Sequence, residues 1–322
     1  MDFPKSVPGV GLVNGKFIDE DEQTGQQGSL IPAAWGNMVT NEILNVQRAA
    51  GLEASELDSA QLSKALDILY LGGAQCRLCG TTQTLKLTRV KRGAMLIPGV
   101  GLVKVPAGGV SLDAAGLTPS TLYYIYAYMD GANLALEASK TARATDAETG
   151  LEIKAGDRTR LFVGIEWAAS AVAWGGLARS WYNDSGFMAT TLLPSNTSTS
   201  SSTPVPINSS ANRPFLTFAG ESVHVEISGS SNSSGAGYST YTWVGVDAVV
   251  AHPNSSGSHY QSAVAGMTAP FSVGATVTGM FEGYHFAAII GMADGGFSAT
   301  WGGGSANGRT SVRVVIPGGA RQ

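Results

Sequence analysis

The apolar residues of this chain change their spacing near residue 74, from a helical period to the alternation of β-strands. Before that point, Val39, Ile43, Val46 and Ala50 recur three or four residues apart, which predicts an amphipathic helix that begins near Pro32. A second helical stripe consists of Leu62, Ala65, Leu66 and Leu69. Two short amphipathic helices cannot bury their stripes alone, so we expect residues 1–73 to assemble with another surface.

From residue 74 the pattern is typical of antiparallel strands. Residues 123–128 read YYIYAY, a strand by composition, and Asp130-Gly131 directly behind them is a hairpin signal. Residues 161–167 form another apolar strand. These features predict a small antiparallel β domain over residues 74–190.

Residues 191–210 contain Asn, Ser, Thr and Pro with few apolar side chains, so we interpret them as an extended or flexible linker. Strands resume beyond the linker, where Val223, Val225 and Ile227 alternate with His224 and Glu226. Evenly spaced strands with Gly, Ser and Asn turns predict a jelly-roll β-sandwich over residues 211–322. The predicted fold class is therefore mainly β behind a short helical N-terminal segment.

Charge is sparse and unevenly distributed. The formal net charge is −4 and no basic run exists, which gives no electrostatic case for nucleic acid. Residues 191–322 carry four arginines, no lysine and five acidic residues, and all four histidines of the chain. A ligand of this part of the chain would be held by stacking and hydrogen bonds more than by salt-screened attraction.

The N-terminus has no apolar stretch of signal-peptide length, and no later stretch is long and apolar enough for a transmembrane helix. We expect synthesis in a cytoplasm without membrane insertion. Cys76 and Cys79 are the two cysteines, so no disulfide framework is predicted. Their Cys-x-x-Cys spacing lacks a second ligand pair for zinc, and we expect neither a metal nor a cofactor.

Catalytic motifs are absent from the sequence. The acids beyond the linker, Glu221, Glu226, Asp247, Glu282 and Asp294, include no pair that stands out for glycan hydrolysis. No Gly-x-Ser-x-Gly elbow and no phosphate-binding loop occur either. We therefore expect a protein that is not an enzyme.

Aromatic side chains beside Gly/Ser-rich segments are the best candidates for ligand contacts, because flat rings with nearby hydroxyl and amide groups suit sugars. Trp243, Tyr241 and Asp247 share one strand face by parity and form the first choice. The second choice is the loop of residues 254–260. The full candidate set is Trp243, Tyr241, Asp247, His252, Asn254, His259, Tyr260 and Trp301.

Three N-terminal stretches resemble the start of tail fibre proteins of tailed bacteriophages and of phage-like bacteriocins. These are residues 11–17 (GLVNGKF), 28–37 (GSLIPAAWGN) and 42–46 (EILNV). Residues 61–69 resemble the second helix of those proteins, and residues 117–128 resemble a β module common behind such anchors. The likeness extends over roughly residues 8–190 and does not reach residues 211–322.

The resemblance implies a homotrimeric fibre that is part of the virion. Residues 1–73 would then attach to tail or baseplate proteins, with Trp35, Asn37, Ile43 and Val46 among the attachment residues. Residues 211–322 would bind a host surface receptor, a polysaccharide or a pilus. Two alternatives stay open from the residues: a glycan-degrading tailspike, and a purely structural baseplate or tail-tip protein.

Overall fold

The computed structural model describes residues 5, 7–69, 74–248, 250–304 and 309–319. The chain separates into two compact units, residues 1–72 and 73–322. The described residues contain two α-helices, α1 (Ala33–Ala49) and α2 (Gln61–Leu69), both in the first unit. The second unit is built from antiparallel strands, so the predicted mainly β fold is confirmed.

The first unit contains a two-residue hairpin turn and a helix that ends at a glycine. Asn14 and Gly15 both have positive φ between the bridged residues Val13 and Lys16, as a two-residue hairpin turn requires. Helix α1 ends in a Schellman motif, in which the Leu52 N–H donates to the Gln47 carbonyl and Gly51 has φ +71°.

Two side chains fix the turn that precedes the second helix. Helix α2 begins at Gln61, and Asp58 accepts from the Ala60 N–H at 3.0 Å within this turn. The Gln61 side chain in turn accepts from the Ser55 N–H at 2.8 Å.

The first part of the second unit consists of two sheets and a hairpin around one apolar core. The strands are β1 (Cys76–Gly80), β2 (Thr84–Arg89), β3 (Ala94–Ile97), β4 (Gly101–Lys104), β5 (Val110–Asp113), β6 (Thr121–Asp130), β7 (Asn133–Ser139), β8 (Arg143–Thr145), β9 (Glu152–Lys154), β10 (Asp157–Ser170), β11 (Ala173–Trp174) and β12 (Arg179–Ser180). Sheet one has the order β1-β2-β5, and β3 pairs with β4. Sheet two has the order β7-β6-β10-β9-β8, with β11 and β12 also paired to β10. Leu87, Ile125 and Val163 are among the buried side chains that join the two sheets.

The second part is a sandwich of two sheets. Its strands are β13 (Phe187–Leu192), β14 (Thr197–Thr199), β15 (Val205–Pro206), β16 (Arg213–Thr217), β17 (Val223–Ser233), β18 (Ser239–Val246), β19 (Ser258–Gln261), β20 (Thr268–Val277), β21 (Gly283–Ala293), β22 (Ala299–Trp301) and β23 (Ser311–Ile316). A 3₁₀ turn (Ser209–Ala211) lies between β15 and β16.

The strand order is that of a jelly roll. Strands β15 and β16 both pair with β21, and strands β22 and β23 both pair with β17. Strands β13 and β14 pair with β23 and β22 in turn. Each of these three pairs of strands takes one position, so the strands occupy eight positions in chain order. In these positions one sheet has the order 1-8-3-6 and the other 2-7-4-5, all antiparallel. The predicted jelly roll is thus present.

Residues 191–210, which we expected to form a linker, complete both sheets of the jelly roll. Residues 187–192 pair with β23, residues 197–199 pair with β22, and residues 205–206 pair with β21. Backbone pairing needs no apolar side chain, and a Pro at position 206 is tolerated because β15 lies on a sheet edge. The sandwich therefore begins at Phe187 rather than at residue 211.

A buried contact joins the first part of this unit to the jelly roll. Phe162 packs edge-on against Phe218 at 6.2 Å between ring centroids, and Trp181 packs against the same ring at 5.1 Å. Trp167 stacks on Tyr284 at 4.4 Å. These contacts lie at one end of the jelly roll, close to the loops of residues 218–222 and 278–282.

Candidate functional site

A row of three aromatic side chains lies on the outer face of the 2-7-4-5 sheet. Tyr241 and Trp243 project from β18 with parallel rings, 5° apart and 5.8 Å between centroids. His259 projects from β19 directly opposite Tyr241 in the strand register and stacks on it at 4.6 Å and 13°. The row Trp243–Tyr241–His259 therefore joins two strands on one surface.

Alternation along β18 places this row outside. Thr242, Val244 and Val246 point into the sandwich, where all three are buried. The odd-numbered residues must then face outward, because successive side chains of a strand point to opposite faces. Trp243 and His259 are the two ends of the row, and each of them stacks on Tyr241.

Polar and small groups border the row. The His259 Nε2 lies 2.8 Å from the Ser239 hydroxyl, which fixes the imidazole beside Tyr241. Gly257 lies against the edge of the Trp243 indole, where an added Cβ would be 2.6 Å from Nε1. A glycine is therefore required at position 257 for the indole to keep this orientation. The arrangement offers ring surface beside a phenol hydroxyl and an imidazole, which are polar groups of the kind that bind sugars.

Asp247, predicted to share the face of Tyr241 and Trp243, lies outside the row. Its Oδ1 accepts from the Phe286 N–H at 2.9 Å, and its Oδ2 contacts the His285 Nδ1. The residue has φ +51°, so β18 has ended and the strand alternation no longer applies. Asp247 thus ties the end of β18 to β21 and has a structural role.

His285 is held by acceptors on both sides of its ring. Its Nδ1 faces the Asp247 carboxylate and its Nε2 lies 3.0 Å from the Phe281 carbonyl oxygen. Both contacts require an N–H, which only the imidazolium provides on both nitrogens. Burial lowers the pKa of His285, but these two hydrogen bonds outweigh burial, so the pKa is raised above its ordinary value.

Trp301 is not a ligand contact. Its side chain is fully buried in the sandwich core, and its indole N–H donates to the Thr242 hydroxyl at 2.8 Å. The Gly-rich surroundings that made it a candidate serve packing instead, since a Cβ at Gly291 would be 2.3 Å from the indole ring.

The remaining candidates do not extend the row. Tyr260 is paired with the inward-facing Thr240, so it lies on the opposite side of β19 from His259. His252 Nδ1 accepts from the Asn254 N–H at 3.1 Å, and the Asn254 amide reaches the Thr276 carbonyl at 3.4 Å. These two hydrogen bonds therefore hold the segment of residues 252–257 against β20 of the other sheet. Asn254 is exposed.

The two cysteines lie in different environments within the described part of the chain. No cluster of three His, Cys, Asp or Glu residues that could hold a metal occurs among the residues described. Cys76 is buried, and burial raises the pKa of its thiol to about 12. Cys79 is exposed and its Sγ lies 3.4 Å from the Lys86 carbonyl oxygen.

The predicted attachment residues lie on helix α1 of the first unit. Trp35 packs edge-on against Phe17 at 5.1 Å. Asn37 and Ile43 are exposed, and Val46 is half-buried. Among the described residues no helix is long and apolar enough to cross a membrane.

Comparisons with known proteins identify no family for this chain. No protein-family model and no curated protein matches it. One solved structure, a mutant VP2 protein of infectious bursal disease virus from derived T=1 particles, is 12% identical over 76% of this chain and 77% of that chain, with a TM-score of 0.21. A second, of infectious bursal disease virus Gx strain, is 10% identical over 77% of this chain and 66% of that chain, with a TM-score of 0.20. Likeness at these TM-scores carries no inference about this protein.

Proposed function

We propose that this chain is a tail fibre of a tailed bacteriophage, which attaches to the virion by residues 1–72 and binds a host surface receptor by its jelly roll. The observation that carries the receptor-binding part is the outward row of Trp243, Tyr241 and His259 on a charge-poor sandwich. The tail-fibre assignment rests on the resemblance of residues 11–17 and 28–37 to the N-termini of such proteins.

The exposed apolar side chains of the first unit support attachment to another protein. They include Leu30, Ile31, Met38, Ile43, Leu57, Leu62, Leu66 and Leu69, and Leu57 is 98% exposed. Apolar surface on this scale is typical of an interaction site. In the proposed fibre it contacts tail or baseplate proteins and the equivalent helices of a homotrimer.

The ligand that best suits the aromatic row is an uncharged stretch of surface polysaccharide. The C–H face of a sugar would stack on the Trp243 indole, and the exposed His259 imidazole lies at the other end of the row. Because no lysine and only four arginines lie beyond residue 190, binding should depend little on salt. Three linked sites in a trimer would raise the apparent affinity by avidity.

The proposal is tested by presenting the labelled full-length protein to an array of purified bacterial surface polysaccharides and to intact bacteria. We expect retention on a small subset, and about a tenfold loss in Trp243→Ala, which corresponds to 1.4 kcal/mol. Phe281→Ala is the matched control, because Phe281 is an 85% exposed aromatic of the same jelly roll outside the row.

Three results would count against the proposal in different ways. An equal loss of binding in Trp243→Ala and Phe281→Ala would show that the row is not part of the receptor site. Release of reducing sugar from the retained polysaccharide would favour the tailspike alternative. Absence of binding to every polysaccharide and every strain would favour a structural role in the baseplate or tail tip.

A further inference from the structure

The outer face of the 2-7-4-5 sheet continues beyond the aromatic row onto strand β21, which lies between β18 and β15. In the strand register Met292 lies directly opposite Tyr241, and Ile290 lies directly opposite Trp243. Pro206 of β15 is in turn opposite Ile290. Side chains that are directly opposite in an antiparallel pair project from the same face, so all five belong to one surface.

The buried side of these strands agrees with that assignment. Ile289 of β21 and Ile207, which follows Pro206, both belong to the buried core of the sandwich. Because successive side chains alternate between the two faces, Ile290, Met292 and Pro206 point away from the core.

The outward side chains differ in how much of their surface a ligand can reach. Ile290 is fully buried although it points away from the core. A Cβ at Gly245 would be 2.8 Å from the Ile290 Cγ1 and 3.1 Å from the Ala248 carbonyl oxygen, so the turn after β18 lies beside Ile290. Met292 is half-buried and Pro206 is exposed. These two residues therefore extend the accessible surface of the row across β21 to β15.

Along β18 the accessible surface ends on both sides of the row. The outward positions that flank Tyr241 and Trp243 on this strand are Ser239 and Gly245. Ser239 is 3% exposed and Gly245 is buried. The open surface is therefore limited in the direction of the strand and continues only across the strands.

The chemistry of the added residues matches that of the row. Met292 carries an unbranched thioether that adapts its shape to a contact, and Pro206 presents the C–H groups of a rigid ring. None of the residues on this surface carries a carboxylate, an ammonium or a guanidinium group. From β19 to β15 the surface crosses four strands, which is a distance of about 14 Å. One sugar ring is shorter than this distance.

We propose that Met292 and Pro206 are ligand contacts, and that the bound polysaccharide lies across the strands from β19 to β15 with several sugar units in contact. A polysaccharide that followed β18 would cover Trp243 and Tyr241 but would leave Met292 and Pro206 free. The assignment of Met292 and Pro206 rests on the proposed function, because it concerns the same receptor site.

The first test measures the affinity of the full-length protein for the polysaccharide that the array retains. We expect Met292→Ala to weaken binding at least threefold, because the thioether contact is lost. Met188→Ala is the matched control, since Met188 is 68% exposed and lies on the other sheet of the jelly roll. Equal thermal midpoints verify that both variants are folded.

Methionine oxidation tests the same contact in the unmodified protein. Hydrogen peroxide converts an accessible methionine into its sulfoxide, which mass spectrometry detects at each position. We expect the retained polysaccharide to slow the oxidation of Met292 at least threefold and to leave that of Met188 unchanged.

Fragments of the retained polysaccharide, used as competitors, report the length of the site. We expect competition to strengthen with each added sugar unit until a fragment spans the four strands, and a single sugar unit to compete poorly.

Unchanged binding of a folded Met292→Ala, or unchanged oxidation of Met292, would overturn the inference, as would a single sugar unit that competes as well as longer fragments. The proposed function would then still stand if Trp243→Ala weakens binding. If the unmodified protein binds no polysaccharide, or if Trp243→Ala binds as well as the unmodified protein does, the proposed function fails and this inference fails with it.

Discussion

Arg179 is the residue whose loss should most weaken the junction between the jelly roll and the preceding sheets. The guanidinium is 1% exposed and contacts two carboxylates, Asp184 at 2.6 Å and Glu221 at 2.9 Å. It also donates to the Leu216 carbonyl at 2.8 Å. Replacement by Met keeps most of the side-chain volume but removes the charge that compensates the two acids.

The size of the effect follows from the burial of those acids. The side chains of Asp184 and Glu221 are only 4% and 12% exposed, so they would remain as poorly solvated negative charges beside each other. Breaking a buried ion pair by removing one partner costs about 3–5 kcal/mol. For a unit of this size that corresponds to a fall in melting temperature of roughly 6–20 °C.

Thermal unfolding followed by circular dichroism measures this cost. Arg313→Met is the control, because its guanidinium is 48% exposed and 3.9 Å from Glu226, a pair worth about 1 kcal/mol or less. Adding Asp184→Asn and Glu221→Gln to Arg179→Met should restore part of the loss, since the stranded charges are removed. A melting temperature of Arg179→Met equal to that of Arg313→Met would refute the reasoning.

Three further predictions follow from the jelly roll. Trp301→Ala should cost about 3–5 kcal/mol in unfolding free energy, measured by urea titration, because it empties a core position; a loss below about 1 kcal/mol would contradict the burial. The raised pKa of His285 means that its contribution to stability is present below its ordinary value of 6.5 and is lost as the pH rises through the raised value. Melting temperatures measured from pH 5.5 to 9 should therefore fall less in Asp247→Asn than in the unmodified protein. Equal slopes in the two proteins would exclude the Asp247–His285 pair as the cause of the pH dependence. Gly257→Ala brings a methyl group within 2.6 Å of the Trp243 Nε1, so the indole must move. We expect binding to the retained polysaccharide to weaken severalfold with no change in melting temperature, and full binding would show that the indole orientation is irrelevant.

The elements that the sequence predicts well are those with strong periodicity. The stripe of Val39, Ile43 and Val46 predicts helix α1. The alternation of Val223, Val225 and Ile227 predicts β17, because one face of that strand is buried. In each case a local pattern reflects burial against a single neighbouring surface.

Short strands with few apolar side chains were not predictable in this way. Residues 197–199 are Thr-Ser-Thr and residues 205–206 are Val-Pro, and nothing in their side chains separates an edge strand from a connector. Their assignment depends on partners about 85–100 residues later in the chain, with β14 paired to β22 and β15 paired to β21. That information lies in the register of the sheets.

The sequence predicts only part of the candidate site, because the rest depends on the register between strands. Tyr241 and Trp243 are two residues apart on one strand, so their common face follows from parity. The stacking of His259 on Tyr241 depends on the register of β18 and β19, and the sequence gives no sign of it. Trp301 is buried in the core and therefore cannot contact a ligand. Strand β18 ends before Asp247, so strand parity does not predict the position of that carboxylate.

Hydroxyl-radical footprinting of the full-length protein tests the central claim most directly, because it reports which side chains a ligand covers. The measurement compares side-chain oxidation with and without the polysaccharide that the array retains. We predict that oxidation of Trp243 and Tyr241 falls at least threefold while that of Phe281 is unchanged. Unchanged oxidation of Trp243 and Tyr241 at saturating polysaccharide, with protection elsewhere on the chain, would contradict the assignment of the aromatic row as the receptor site.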